Sequence, residues 1–214
     1  MTLRDWSEYA VLLIDVQEDF WPAGMDGKFP RFKDNVARLL STCRAEKLDV
    51  LHIRASFNAD GSDWMARYKL LGGSLPCIAG TPGVEVMACA RELPGEPLLY
   101  KQAYDSFTNP EVEAWLRRNG KRYVLVAGLV TAVCVMLTGV SAAQRGYLVA
   151  VIEDCCGDQA GTHDMVLERY ANMMERVTVD EIIARHGVWQ RQLQKLRQCA
   201  GEKPATRKSA TPVV

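Results

Sequence analysis

Residues 122–146 read RYVLVAGLVTAVCVMLTGVSAAQRG. Tyr123 to Ala127 is an apolar run rich in β-branched residues, which predicts a buried strand. Gly128 breaks it. Small and apolar residues then resume at helical spacing as far as Gly146, a helix stop. Cys134 falls where that helix begins. Unpaired main-chain N–H groups and the positive end of the helix dipole favour a thiolate there, and the same N–H groups suit an oxyanion. Tyr123 to Ala143 carries no charge, and a run of that length also fits a membrane span. Gly128, Thr131, Thr138, Gly139 and Ser141 dilute it, and the strand character of its first half argues for a sheet strand and a tightly packed helix instead.

The same alternation extends in both directions. Ala10 to Val16 (AVLLIDV) is a short strand with Asp15 near its end. Phe32 to Lys47 has helical period, with Val36, Leu39, Leu40 and Cys43 on one face. Asp49 to Ile53 predicts a second strand, Pro97 to Gln102 a third carrying Lys101, and Leu148 to Glu153 a fifth. Val177 to Val179 predicts a sixth. Asn109 as cap and Pro110 in the first turn open a helix that Gly120 ends. A short helix is expected over Val84 to Leu93, one over His163 to Glu175 capped by Thr162, and a last one from Asp180 to about Gln198. Strand and helix alternating in this way predict an α/β three-layer sandwich around a central six-stranded, mainly parallel sheet. The long segment 54–83 is rich in Gly and Pro and suits a loop over a site. One domain over 1–199 is expected, with a disordered tail at 200–214 that lacks apolar period.

The 214 residues carry 26 basic and 26 acidic side chains, a formal net charge of zero, so nothing points to nucleic acid or an anionic membrane surface. The N-terminus has no apolar stretch behind a basic start, unlike a signal peptide. The seven cysteines are odd in number and irregularly spaced, without a Cys-x-x-Cys pair. Reduced thiols in a cytoplasmic protein are the simplest reading.

In a parallel sheet, ligands sit at the carboxyl ends of the strands. Asp15, Lys101 and the turn leading to Cys134 all lie there. Asp15 suits a base that takes the thiol proton and returns it to a leaving nitrogen, Lys101 an electrostatic support, and Cys134 a nucleophile. A buried ion pair and an inert buried thiol explain the same residues structurally. Trp64, Tyr68, Tyr104 and Phe107 suit the walls of a pocket for a flat amide, or plain packing. His163 is expected to cap or lie on the surface, His52 to be satisfied within its strand, and His186 to interact with a helix dipole.

The pieces LLIDVQEDF at 12–20, YKQAYDSF at 100–107, GLVTAVCVMLTGVSAA at 128–143 and VIEDCCGDQAGTHDMVLERY at 151–170 resemble the isochorismatase-like cysteine hydrolases. Nicotinamidases, N-carbamoylsarcosine amidases and ureidoacrylate amidases belong to that superfamily. The resemblance runs from about residue 9 to 183 and implies a Rossmann-like hydrolase fold. It implies an aspartate–lysine–cysteine triad at Asp15, Lys101 and Cys134. A cis Leu129–Val130 peptide would aim the Val130 and Cys134 N–H groups at an oxyanion. Gln17, Phe20 and Thr131 would join Trp64, Tyr104 and Phe107 around a small amide or ureido substrate. Homodimers or homotetramers are common in the family.

HIRASFNADGSD at 52–63 offers one histidine where metal-dependent nicotinamidases resemble one another in an aspartate and two histidines, so no metal and no other cofactor are expected. True isochorismatases generally lack the cysteine, so Cys134 favours cleavage of a C–N bond. The function this implies is a metal-independent amidohydrolase for a small amide, ureido (carbamoyl) or lactam substrate, acting through a thioester on Cys134. The alternatives are an ether hydrolase of the isochorismatase kind and a catalytically idle binding scaffold of the same fold.

Overall fold

The computed structural model describes residues 4–73 and 75–201. Six strands form one sheet: β1 (Tyr9–Ile14), β2 (Asp49–Ala55), β3 (Leu98–Lys101), β4 (Tyr123–Leu129), β5 (Leu148–Gly157) and β6 (Glu175–Val177). Their order across the sheet is β3-β2-β1-β4-β5-β6, and every neighbouring pair is parallel. The order reverses between β1 and β4, which opens a crevice at their carboxyl ends, the usual ligand position of such sheets. The helices are α1 (Met25–Lys28), α2 (Phe32–Glu46), α3 (Ala66–Leu71), α4 (Pro110–Arg118), α5 (Met136–Gln144), α6 (His163–Arg169) and α7 (Ile182–Cys199).

Both faces of the sheet are covered, which is why its strands read as continuous apolar runs. Tyr9, Val11 and Leu13 pack with Tyr123 and Leu125 against α2 and α7 through Val36, Leu39 and Trp189. Ala10, Leu12 and Ile14 face the other way with Val124 and Val126, against Val112 and Leu116 of α4 and Leu167 of α6. No helix among the described residues is long and apolar enough to cross a membrane; the uncharged run divides not at Gly128, which β4 passes through to Leu129, but at Val130 and the 131–135 turn that precedes α5.

Local chemistry accounts for several boundaries and corrects others. Asn109 does cap α4, accepting from the Glu111 N–H at 2.9 Å, with Pro110 behind it. Thr162 does not cap α6: its hydroxyl donates to Asp158 at 2.6 Å, and the helix stops at Arg169. The last helix is opened by Thr178, not Asp180. Thr178 and Glu181 form a reciprocal capping box around a 3₁₀ turn that leads into α7. In place of the helix expected over Val84 to Leu93 there is a single 3₁₀ turn, Ala88–Ala90, preceded by another at Pro82–Val84. β6 lies at 175–177, two residues before its expected place. β5 runs past Glu153 to Gly157, because a register shift lets Cys156 and Gly157 pair with Gly128 and Leu129. His186 sits inside α7, bonded through Nε2 to the Asp5 carbonyl at 2.9 Å and edge-on to Trp6. The expected disordered tail falls, from residue 202, outside the described residues.

Candidate active site

Asp15 is the first residue beyond β1, and its backbone is left-handed at φ 51°. Such a conformation costs a non-glycine residue about 1 kcal/mol, least for Asp and Asn. The fold holds it there from both sides. The Asp15 N–H donates to the Ile53 carbonyl, and the Asp15 carbonyl accepts from the Gln17 N–H, both at 2.8 Å. Gln17 is wholly buried and acts as a strut. Its amide donates to the Ala55 and Val84 carbonyls at 2.9 and 2.7 Å and accepts from the Ala55 N–H at 2.8 Å. Each end of the Gln17 amide is thus committed to the backbone. Gly128 faces Ile14 across the β1–β4 ladder with φ 122°. A Cβ there would come within 3.0 Å of the Ile14 carbonyl oxygen, so only glycine lets the two strand ends approach this closely.

Three reactive side chains converge in that crevice. Lys101 ends β3 and places its Nζ 2.6 Å from Asp15 Oδ2. The ammonium also donates to the Ala103 carbonyl at 2.9 Å. Cys134 lies within reach of both Asp15 and Lys101. Relative exposures are 0% for Asp15, 2% for Lys101 and 4% for Cys134, so the group is sealed from bulk water. Neither Asp15 oxygen accepts a hydrogen bond of ordinary angular geometry. The Lys101 contact is an ion pair, and the carboxylate keeps open lone pairs for a proton.

Burial and charge set the proton positions. Burial raises the Asp15 carboxyl above its usual range, with Lys101 and Cys134 opposing. Burial and then the Asp15 charge push the Cys134 thiol up to about 12, while Lys101 and the Val130 N–H pull the other way. Burial pulls Lys101 down, but the Asp15 and Cys134 charges outweigh it and hold Lys101 above its ordinary value. The expected helix-stabilised thiolate is therefore replaced by a resting thiol. Such a sulfur attacks only if a base takes its proton as it does so, and the raised Asp15 carboxylate is suitably basic.

Cys134 is not in the first turn of an ordinary α-helix. Residues Thr131–Val135 form one π-helical turn ahead of α5. Wide turns of this kind are often found at functional sites. The Leu129–Val130 peptide is cis. The Val130 carbonyl accepts from Val133 and Val135, at 3.1 and 3.3 Å, which closes the turn.

The remaining expected pocket residues divide. Tyr104 meets Tyr68 of α3 hydroxyl to hydroxyl, and burial and then this contact raise the Tyr68 phenol above its ordinary value, with a smaller contribution from nearby Cys134. Of the 54–83 segment, Tyr68 and Cys77 both lie close enough to the Asp15–Lys101–Cys134 group to feel its charges. Trp64 packs with Phe57, Leu75 and Cys77 and donates its indole N–H to the Asn58 carbonyl at 2.7 Å. Phe20 packs against the same cluster and the main core. Phe107 is buried against the α4–α5 face, with the Arg145 guanidinium 4.7 Å over its ring. Thr131 is fully buried, and its hydroxyl pairs with His163 Nδ1 at 2.9 Å. His163 is thus neither a cap nor a free surface residue. Cavities of about 410, 250 and 400 Å³ open elsewhere on the molecule, and none is lined by a member of the Asp15–Lys101–Cys134 group. Among the described residues no three His, Cys, Asp or Glu side chains cluster as metal ligands would. His52, the histidine of the 52–63 segment, is paired with Glu96 at 3.0 Å.

Comparison with known proteins agrees with this geometry. Residues 9–181 match the isochorismatase domain. A nicotinamidase/pyrazinamidase of Mycobacterium tuberculosis is 30% identical over 174 residues, covering 74% of this chain and 92% of that protein. A maleamate amidohydrolase of Pseudomonas putida is 25% identical over 157 residues, covering 70% and 72%. Among solved structures, an isochorismatase family protein from Desulfovibrio vulgaris superposes with a TM-score of 0.75 at 31% identity, covering 83% of this chain and 97% of that one. With the domain match spanning most of the chain and the six-stranded parallel sheet to go with it, this protein belongs to the isochorismatase family of hydrolases.

Proposed function

We propose that the protein is a metal-independent cysteine amidohydrolase that cleaves a C–N bond in a small amide, ureido or lactam substrate. The carrying observation is the sealed group of Asp15, Lys101 and Cys134, with Lys101 Nζ 2.6 Å from Asp15 Oδ2 and the thiol beside them. Asp15 takes the Cys134 proton as the sulfur attacks the substrate carbonyl carbon. The C=O electron pair moves onto oxygen, where the Val130 and Cys134 N–H groups receive it. The tetrahedral intermediate collapses, the C–N bond breaks, and Asp15 delivers its proton to the leaving nitrogen. A thioester remains on Cys134. Asp15 then deprotonates a water that attacks the thioester, and the thiol is regenerated with release of the acid. Lys101 keeps the charge of the cycle balanced, since Asp15 alternates between anion and acid beside it. Maleamate amidohydrolase among the relatives supports amide cleavage. The free state of all seven cysteines supports a reducing, cytoplasmic setting.

The test is ammonia release from a panel of primary amides and ureido acids, with ring opening followed separately for lactams, wild type beside Cys134→Ala. Turnover in the wild type that is lost in the variant, and is indifferent to chelator, is the expected result. Cleavage of an enol ether without ammonia would overturn it in favour of ether hydrolysis.

A further inference from the structure

The mechanism above leaves one buried contact unused. Thr131 opens the π turn and lies between the two residues whose N–H groups receive the oxyanion. Its side chain is fully buried, and its hydroxyl meets His163 Nδ1 at 2.9 Å. His163 is the first residue of α6, which packs on the π turn. The imidazole is half-buried, with the Phe29 ring edge-on at a centroid distance of 5.2 Å. It lines a cavity of about 250 Å³ that also holds Arg31, Asp154 and Arg176 and contains no member of the catalytic group. One side of the ring thus faces that cavity's lining and the other grips the nucleophile turn.

We propose that His163 is a positioning residue for this hydrolase, holding Thr131 so that the Val130 and Cys134 N–H groups stay converged on one oxyanion. The inference rests on the cysteine-hydrolase reading above. The bond has a direction that depends on the ring. A neutral imidazole with its proton on Nε2 accepts the Thr131 O–H at Nδ1. A protonated ring donates from Nδ1 instead, and the Thr131 proton must then turn away inside a buried site. Burial keeps His163 below its ordinary value, opposed by Asp164, Glu153 and Asp158 and assisted by Arg176. Arg31 and Lys28 stand across the cavity, so charges of both signs face the ring. The neutral, accepting form is therefore the one held at neutral pH.

The experiment combines His163→Leu, His163→Asn and Thr131→Val with the His163→Leu/Thr131→Val double variant. Loss of a positioning bond to the turn should lower kcat of His163→Leu about tenfold, with KM changed less than about twofold. His163→Asn, which keeps an acceptor near the Nδ1 position, should recover most of that loss, and should also lack a partial acid-side step that the wild-type pH profile shows below the ordinary histidine range. The double variant should be no slower than Thr131→Val alone, because both changes break one contact. Additive losses, an effect confined to KM, or an Asn variant as slow as the Leu variant would each overturn the proposal. A second measurement needs neither turnover nor the Leu variant. With three histidines in the chain, the His163 ring can be followed by NMR titration. Thr131→Val should move its midpoint, and so should alkylation of Cys134. A midpoint indifferent to both would sink the proposal, whereas a moving midpoint in a protein inactive on every amide would sink the cysteine-hydrolase reading and leave the coupling standing.

Discussion

A carboxylate that must act as a base is more useful the more reluctant it is to stay ionised, up to the working pH. Asp15 is placed to exploit this, with burial raising it and Lys101 keeping it from going further. The acid limb of kcat/KM should therefore lie above the ordinary carboxylate value of 3.8, since the ionised form is the active one and protonation now comes at higher pH. Asp15→Asn should remove at least about three orders of magnitude of kcat, read by the same ammonia assay, and should abolish that limb in whatever activity remains. The convergence of Asp15, Lys101 and Cys134 was legible in sequence because each lies at a strand end or in the turn that follows one, and parallel strands deliver their ends to one edge. The Thr131–His163 contact was not legible. The two residues are 32 apart in sequence, and only the seating of α6 on the π turn brings them together. Gln17 and Phe107 make contacts that their residue types did not indicate. Their types suit a pocket wall, but Gln17 is spent on the Ala55 and Val84 backbone and Phe107 on the α4–α5 face.

Among the elements, β1 and β4 define the crevice, and their approach depends on Gly128. Gly128→Ala would force a Cβ against the Ile14 carbonyl and hold alanine at a φ of 122°. The variant should lose about 3 kcal/mol or more of stability, measured by urea unfolding, with Cys134 and Asp15 displaced and activity lost in step. The strands themselves were readable from their apolar runs, as was the Asn109–Pro110 start of α4. The far half of β5 was hidden because Glu153, Asp154 and two cysteines do not look like a strand, and a register shift is needed to pair them. The start of α7 was misassigned because Asp180 and Thr178 are both acceptable caps. The reciprocal bond to Glu181 decides between them.

At the scale of the whole molecule, polar anchors hold the edge of the sheet to its helices. Glu96 accepts from both ends of the Arg44 fork on α2, at 2.8 and 2.9 Å, pairs with His52 of β2 and receives the Leu93 N–H at 2.9 Å. The Arg44 guanidinium above all holds its carboxyl down at about 2. A folded-state value below the unfolded 4.5 means stability that is complete above that pH and lost as the pH falls towards 2. Glu96→Gln should cost on the order of 1–2 kcal/mol at pH 7 after allowance for solvent screening. The gap from wild type should close on acidification, as urea midpoints at neutral and acid pH would show.

The sealing of the Asp15–Lys101–Cys134 group also bears on the protein's chemical lifetime. A peroxide molecule oxidises a cysteine by meeting its thiolate, and Cys134 offers little of either access or ionisation. Cys199, at the exposed end of α7, stands in the oxidant's path first. Damage would thus fall first on a thiol remote from the Asp15–Lys101–Cys134 group, and on the proposed nucleophile last.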